Sequence, residues 1–283
     1  MKNLFRSLFT FILFLVSAIG FAQNENSLLW KISGNGLTKP SYVFGTIHMI
    51  CEPDYFFTDN FENALKNSEA LVTEINFGNM EEMMLMQNAM QSDKSLKDRI
   101  SPKQYEKLAA LLKEKLAMDI AMFDNVSESG IASLVTMKSF PCENMKMYEM
   151  ELIQKAMASQ KSLDGLESIS EQMKIMEDHL NIDASIKMLE ELGTGSDSNK
   201  QMVELYKEQN IDKLLDLLKQ ASYMDSKAYD EFVVNRNNNW VKKMPEMMQS
   251  KPTFFAVGAA HLGSEDGVLD LLRKAGYKVE AVK

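Results

Sequence analysis

Histidine is almost missing from this chain: three of 283 residues, beside two cysteines and two tryptophans. Two cysteines cannot staple a disulfide scaffold, and no H-E-x-x-H helix, G-x-S-x-G elbow or nucleophile-type cysteine flank occurs, so the familiar zincin, serine and thiol routes lack their motifs. Positive charge is also short. Lys and Arg number 31 against 40 Asp and Glu, a net charge of −9. No part of the chain supplies the basic face that phosphate contacts need, which excludes nucleic acid as a partner and electrostatic docking on anionic lipid. The glycine-dense stretch "GTGSDS", residues 193–198, has no Lys-Ser/Thr after it and reads as a surface loop, not a phosphate loop.

The rest of the composition, 45% hydrophobic and 25% charged, is that of an ordinary globular protein with room for a sizeable core. The first 22 residues differ. Lys2 and Arg6 precede an uncharged apolar run from Leu8 to Phe21, and Gly20-Phe21-Ala22 offers small residues at a cleavage site, so residues 1–22 read as a secretory signal cut near Ala22–Gln23. An uncleaved anchor is the alternative; the cut has no cysteine of the kind a lipoprotein needs. Cleavage takes the net charge from −9 to −11 by removing Lys2 and Arg6. No second long apolar segment follows, so the expectation is an exported, periplasmic or secreted protein with no stable membrane span. Cys51 and Cys142 then meet oxidising conditions, where a disulfide, a buried thiol or, with Cys51 three residues after His48, metal ligation all remain open.

Apolar periodicity alternates between two regimes. "SLLWKIS" and "PSYVFGTI" predict a hairpin around "GNGLTKP", and "ALVTEINF" predicts a short strand carrying Glu74. Thr58 or Asp59 caps a helix over "TDNFENALKNSE", Ser101-Pro102 opens another, and Ser168 or Ser170 a third. The methionines from Met80 to Met90 read as filler for an irregular core. At the end, Thr253–Val257 predicts a buried strand, Gly258–Ser264 a turn, Gly267–Ala275 an amphipathic helix and Tyr277–Val282 a strand, a unit expected to place two parallel strands side by side. The fold class is therefore α/β. One domain over 27–283 holds a central mixed sheet of N- and C-terminal strands, with a mostly helical insertion over about 79–250 that a strand near 161–166 interrupts.

Two histidines share a local frame. "VFGTIHMI" and "FAVGAAHLGS" place His48 and His261 each three residues after a glycine and just past an apolar strand. With 13 glycines in the chain, that offset arises by chance about one time in twenty per histidine, so its occurrence in two of three points to one shared strand-end site. His179, on "SEQMKIMEDHLN", reads as a surface or helix-end residue.

These stretches, together with "LVTEINF", "GLESISEQ", the Arg236-Asn237 of "NRNNNW" and the terminal "GSEDGVLDLLRKAGYKVEAV", resemble the TraB/PrgY/GumN family and its Tiki-like metalloprotease relatives, in order and from about Leu28 to the C-terminus. The resemblance implies a metal-dependent hydrolase, in particular a peptidase acting on a peptide or protein. His48 and His261 match the paired G-x-x-H histidines, Glu74 the acid after the second core strand, Glu167 the acid of a Leu-Glu motif, and Arg236 the arginine of the Arg-Asn pair. "NMKMYEMELIQKAMASQKSLD" departs from the family by lacking a Gly-Ile/Val-Asp, with Tyr148 and Glu149 near that place.

Two imidazoles and Glu74 suit a divalent ion, Mn2+ or Co2+ ahead of Zn2+, and leave open positions for water. Glu167 then stands as the acceptor of the water's proton, and Arg236 as the fork that holds a substrate carboxylate or oxyanion. The same pocket could instead sequester a peptide, metal or tetrapyrrole without turnover.

Overall fold

The strand Thr253–Gly258 (β7) is buried through five consecutive residues, as a strand covered on both faces must be, and it sits in the middle of the sheet. The structure is a computed structural model that describes residues 26–193, 198–221 and 224–283. The signal expected over residues 1–22 and residues 194–197 of the "GTGSDS" loop lie outside the described residues.

The fold is α/β with a six-stranded mixed sheet. Its strands are Leu29–Ser33 (β1), Ser41–Thr46 (β2), Ala70–Thr73 (β4), Ser162–Gly165 (β6), β7 and Lys278–Ala281 (β8), in the order β6-β4-β7-β2-β1-β8. A separate two-stranded ribbon pairs Met49–Cys51 (β3) with Met145–Met147 (β5). Strands β6, β4, β7 and β2 run parallel, so their carboxyl ends share one edge of the sheet; β1 is antiparallel to β2, and β8 to β1. The C-terminal strand-helix-strand unit corrects one expectation: β7 and β8 run parallel but are not neighbours, because the β1–β2 hairpin lies between them. The apolar β2 covers β7 better than β8 could, and β8, partly exposed throughout, is suited to an edge.

Helix starts follow local chemistry. Thr58 caps Asp59–Lys66 (α1), and Ser101 and Ser168 close reciprocal capping boxes on Pro102–Leu116 (α3) and Ile169–His179 (α6). The helical region has its own apolar cluster, in which Leu108 and Leu112 of α3 meet Ile131 and Val135 of Glu128–Lys138 (α4) and Ile186 and Leu189 of Ile182–Glu191 (α7). Met80–Ala89 (α2), between α1 and α3, corrects the reading of the methionines as core. Met86 and Met90 pack against Ile75, Ile169 and Met173, but Met80 and Met84 are 75% and 59% exposed.

The β3–β5 ribbon is fastened at one end by a disulfide and flanked at the other by His48 and Glu149. Cys51 at the end of β3 is disulfide-bonded to Cys142, just before β5, while the far end of the ribbon pairs Met49 with Met147. His48 directly precedes β3, and Glu149 lies in the first turn of Tyr148–Ala158 (α5), directly after β5. The ribbon therefore carries these two residues in together. Closing a loop over a sequence separation of 91, the disulfide removes denatured-state freedom worth about 4–5 kcal/mol. Urea unfolding with and without reductant should show a loss of that size, and a Cys51→Ser/Cys142→Ser double variant should match the reduced protein without responding to reductant.

Candidate functional site

Each of the four parallel strands ends in a chemically useful side chain. His48 follows β2, Glu74 follows β4, Glu167 follows β6, and His261 lies in the turn Ala259–His261 after β7. The structure thus brings all four to one edge of the sheet, where open α/β sheets bind ligands. The two glycines that frame the histidines do different work. A Cβ on Gly45 would lie 2.8 Å from Leu262 and 3.0 Å from the Ala259 backbone, so Gly45 lets the His261 turn seat against β2. A Cβ on Gly258 would lie 3.4 Å from Glu74 Oε1, 3.4 Å from His261 Cδ2 and 3.8 Å from His48 Nε2. Gly258 is thus the floor of a cradle on which those three side chains converge.

Arg236 enters from the helix Asn235–Ser250 (α10; Ser198–Lys207 and Ile211–Lys219 being α8 and α9), just after a π-helical turn over Asp230–Val234. It is buried, not the surface ion pair its polar neighbours would allow. All five of its N–H groups are engaged. Nε and Nη2 donate to Glu167 at 2.6–3.1 Å, Nη2 to Glu74 Oε2 at 2.5 Å, and Nη1 to the Phe232 carbonyl at 3.0 Å and His261 Nε2 at 3.2 Å. Gln172 of α6 donates to both Glu74 and Glu167, and Trp240 Nε1 donates to Glu167. Glu167 therefore accepts from three side chains and anchors Arg236. Glu74 turns its other oxygen to the Gly258 N–H at 2.8 Å, facing the cradle.

Both site histidines are held by Nδ1. Asn237 donates its amide nitrogen to the Asp266 carbonyl, which turns Oδ1 toward His261 Nδ1 at 2.7 Å and fixes the neutral tautomer with Nε2 as an acceptor. Burial, with Arg236 beside the ring, lowers the His261 pKa to about 3. His48 Nδ1 meets Glu149 Oε1 at 3.0 Å, and Glu149 also accepts from Thr46. Desolvation acts to lower the His48 pKa, but the Glu149 carboxylate and its hydrogen bond outweigh that and raise it to about 9. Because 62% of the His48 side chain is exposed at the mouth of the site, solvent screening keeps the energetic worth of this pair small. Burial opposes ionisation of Glu74, yet Arg236, both histidines and the Gly258 N–H hold its carboxyl well below the usual range.

Gln172 and Trp240 complete the site beyond the residues named from sequence, and Asn237 and Glu149, named there only as motif neighbours, take direct parts in it. Their signals are faint but physical. Glu149 is an acid in the first turn of a helix, where the dipole favours it, and Trp240 lies four residues after Arg236, on the same helix face. His179 is outside the cluster, at the end of α6, paired with Glu231 at 2.8 Å.

Among the described residues, no three His, Cys, Asp or Glu side chains already form a group that could hold a metal ion. The donors nonetheless fit one. Glu74 and Glu167 share the Arg236 guanidinium, Glu149 adds a third carboxylate on His48, and the His48 and His261 rings and Glu74 Oε1 lie around the Gly258 cradle. Ligation by His261 requires Arg236 Nη1 to leave Nε2, and ligation by His48 requires the imidazolium proton to leave.

The chain matches the TraB/PrgY/gumN family model over residues 28–281 and belongs to that family. It is similar to two zebrafish (Danio rerio) proteins, Metalloprotease TIKI2, 36% identical over 63 residues, and Metalloprotease TIKI1, 35% over 63 residues. Each match covers 21% of this chain and only 12% and 13% of those proteins. No solved structure matches.

The two histidines should titrate in opposite senses. The His48–Glu149 contribution to stability is complete below the unfolded pKa of about 6.5 and is lost as pH rises through about 9. His261 stays neutral when folded, so stability falls as acid protonates the unfolded chain between about pH 6.5 and 3. NMR titration of the imidazoles should show both, and Glu149→Gln should lower the His48 midpoint while leaving His261 neutral. Two midpoints near 6.5 would contradict this assignment.

Proposed function

We propose that this protein is a metal-dependent hydrolase, a peptidase in the first instance, in which His48, His261 and Glu74 hold one divalent ion over Gly258. The observation that carries the proposal is the convergence of two Nδ1-anchored imidazoles and a carboxylate on that cradle, beside an excess of negative charge. Family membership and the partial similarity to two metalloproteases support the reaction class. Neutral imidazole and carboxylate suit Mn2+, Co2+ or Zn2+. A bound ion supplies Lewis acidity, polarising a carbonyl and acidifying water.

The chain's own residues do the rest. Asn237 and Glu149 orient the two rings, as the outer partners of metal-binding histidines do. Arg236 stands beside the cradle as a charged donor for an oxyanion. Glu167 is engaged by Arg236, Trp240 and Gln172, so its use as proton acceptor is coupled to the arginine: donors that turn from Glu167 to substrate oxygen free the carboxylate to take a proton. Action outside the cytoplasm is supported by the Cys51–Cys142 disulfide and by the apolar N-terminal run. We take residues 27–283 as one domain.

A second reading keeps the pocket but not the turnover. It is favoured by Arg236 already neutralising Glu74 and occupying His261 Nε2, a stable arrangement for a binding protein that sequesters a peptide, metal or tetrapyrrole. Calorimetry with Mn2+, Co2+ and Zn2+ separates metal use from none. The wild type should bind one ion per chain, and His48→Ala and His261→Ala should each weaken it about tenfold or more while remaining folded. Glu167→Gln should keep metal affinity and lose about a hundredfold in peptide cleavage. Metal binding without any cleavage by the wild type would favour the sequestering protein; unchanged metal affinity in both histidine variants would refute the site.

A further inference from the structure

A cleft of about 380 Å³ lies between α6 and α10, with Glu167, Arg236 and Trp240 in its lining, so it adjoins the Arg236–Glu167 side of the cluster. One wall is a stripe of α10 residues four apart, Asn235, Asn239 and Lys243; the other carries Glu171, Lys174 and Asp178 of α6. Lys243 already donates to the Leu166 carbonyl at 2.6 Å, at the strand-end that leads to Glu167. Asn235 and Asn239 are exposed, and neither side chain has a hydrogen-bond partner among the described residues.

Residues four apart on a helix are separated by about 6 Å along its axis, since each residue rises about 1.5 Å. An extended peptide repeats its same-side backbone groups every two residues, about 6.6 Å. Two primary amides at that spacing, each both donor and acceptor, match the main-chain N–H and C=O groups of an extended segment whatever its sequence. The opposite wall, with Lys174 between two carboxylates, offers charged contacts of both signs to side chains and adds no single-sign preference.

From the cleft and the spacing of its amides, we infer that the α6–α10 cleft is the main-chain recognition subsite for an extended peptide, with Asn235 and Asn239 gripping the backbone and Arg236 between the cleft and the Gly258 cradle. The inference deepens the peptidase reading, on which it rests for its substrate class. It accounts for a feature the hydrolytic centre leaves unused: a run of free amides on the face of α10 adjoining Arg236, while Asn237 on the buried face serves His261.

The test uses the full chain and a fluorescein-labelled pool of random-sequence decapeptides, followed by anisotropy in EDTA so that nothing turns over. An Asn235→Ala/Asn239→Ala variant should bind the pool about tenfold more weakly, the worth of two modest hydrogen bonds. Both positions are exposed, so its thermal unfolding should match the wild type. Asn238→Ala, on the same helix but outside the cleft lining, should leave binding unchanged. Equal binding by wild type and double variant, equal loss in Asn238→Ala, or no binding by the wild type would each overturn the inference. Adding Mn2+ separates it from the peptidase reading. A pool that binds through the asparagines and is never cleaved keeps the cleft and refutes the peptidase; a pool cleaved with unchanged affinity in the double variant keeps the peptidase and refutes the cleft.

Discussion

A buried guanidinium organises this site. Taking Arg236 out of water is unfavourable by several kcal/mol, and the structure offsets this by giving each of its five N–H groups an acceptor. Those acceptors come from four segments, three of them remote in sequence: the end of β4, the end of β6 and the turn after β7, together with the π-helical turn just before α10. Removing either carboxylate would leave guanidinium N–H groups without acceptors at a site with almost no solvent. The same network sets the electrostatics of the whole edge, keeping Glu74 ionised and His261 neutral.

His48 obeys a different constraint. It sits at the mouth, outside the guanidinium network, and is positioned by the β3–β5 ribbon and by Glu149, whose place at the start of α5 favours its negative charge. One half of the Gly258 cradle is thus tied to the buried core and the other to a disulfide-closed ribbon. To hold a metal ion, His48 would give up its proton and His261 its contact with Arg236.

Much of the fold is legible in the sequence because its signals are local. The continuous apolar run of β7, the alternation in β1 and the caps at Thr58, Ser101 and Ser168 each arise from a few neighbouring residues. Strand order is not legible in the same way: nothing within Thr253–Ala281 says that a hairpin from the other end of the chain will lie between β7 and β8. The repeated glycine–histidine frame points to one site, yet the two glycines serve close packing in one case and an open cradle in the other. Glu149, Gln172 and Trp240 carry no such mark, because an acid, an amide and an indole on helices are ordinary there; only the tertiary arrangement aims them at His48 and Arg236. The exposed methionines of α2 show composition misleading in the opposite direction.

Whether a cation at the Gly258 cradle and Arg236 on His261 Nε2 exclude one another is tested most directly by anomalous diffraction from crystals of the protein soaked in Mn2+. The expected map has one peak bounded by His48 Nε2, His261 Nε2 and Glu74 Oε1, with Nη1 of Arg236 withdrawn from the His261 ring. A peak elsewhere, or an Arg236 still bonded to Nε2 beside a bound ion, would contradict it.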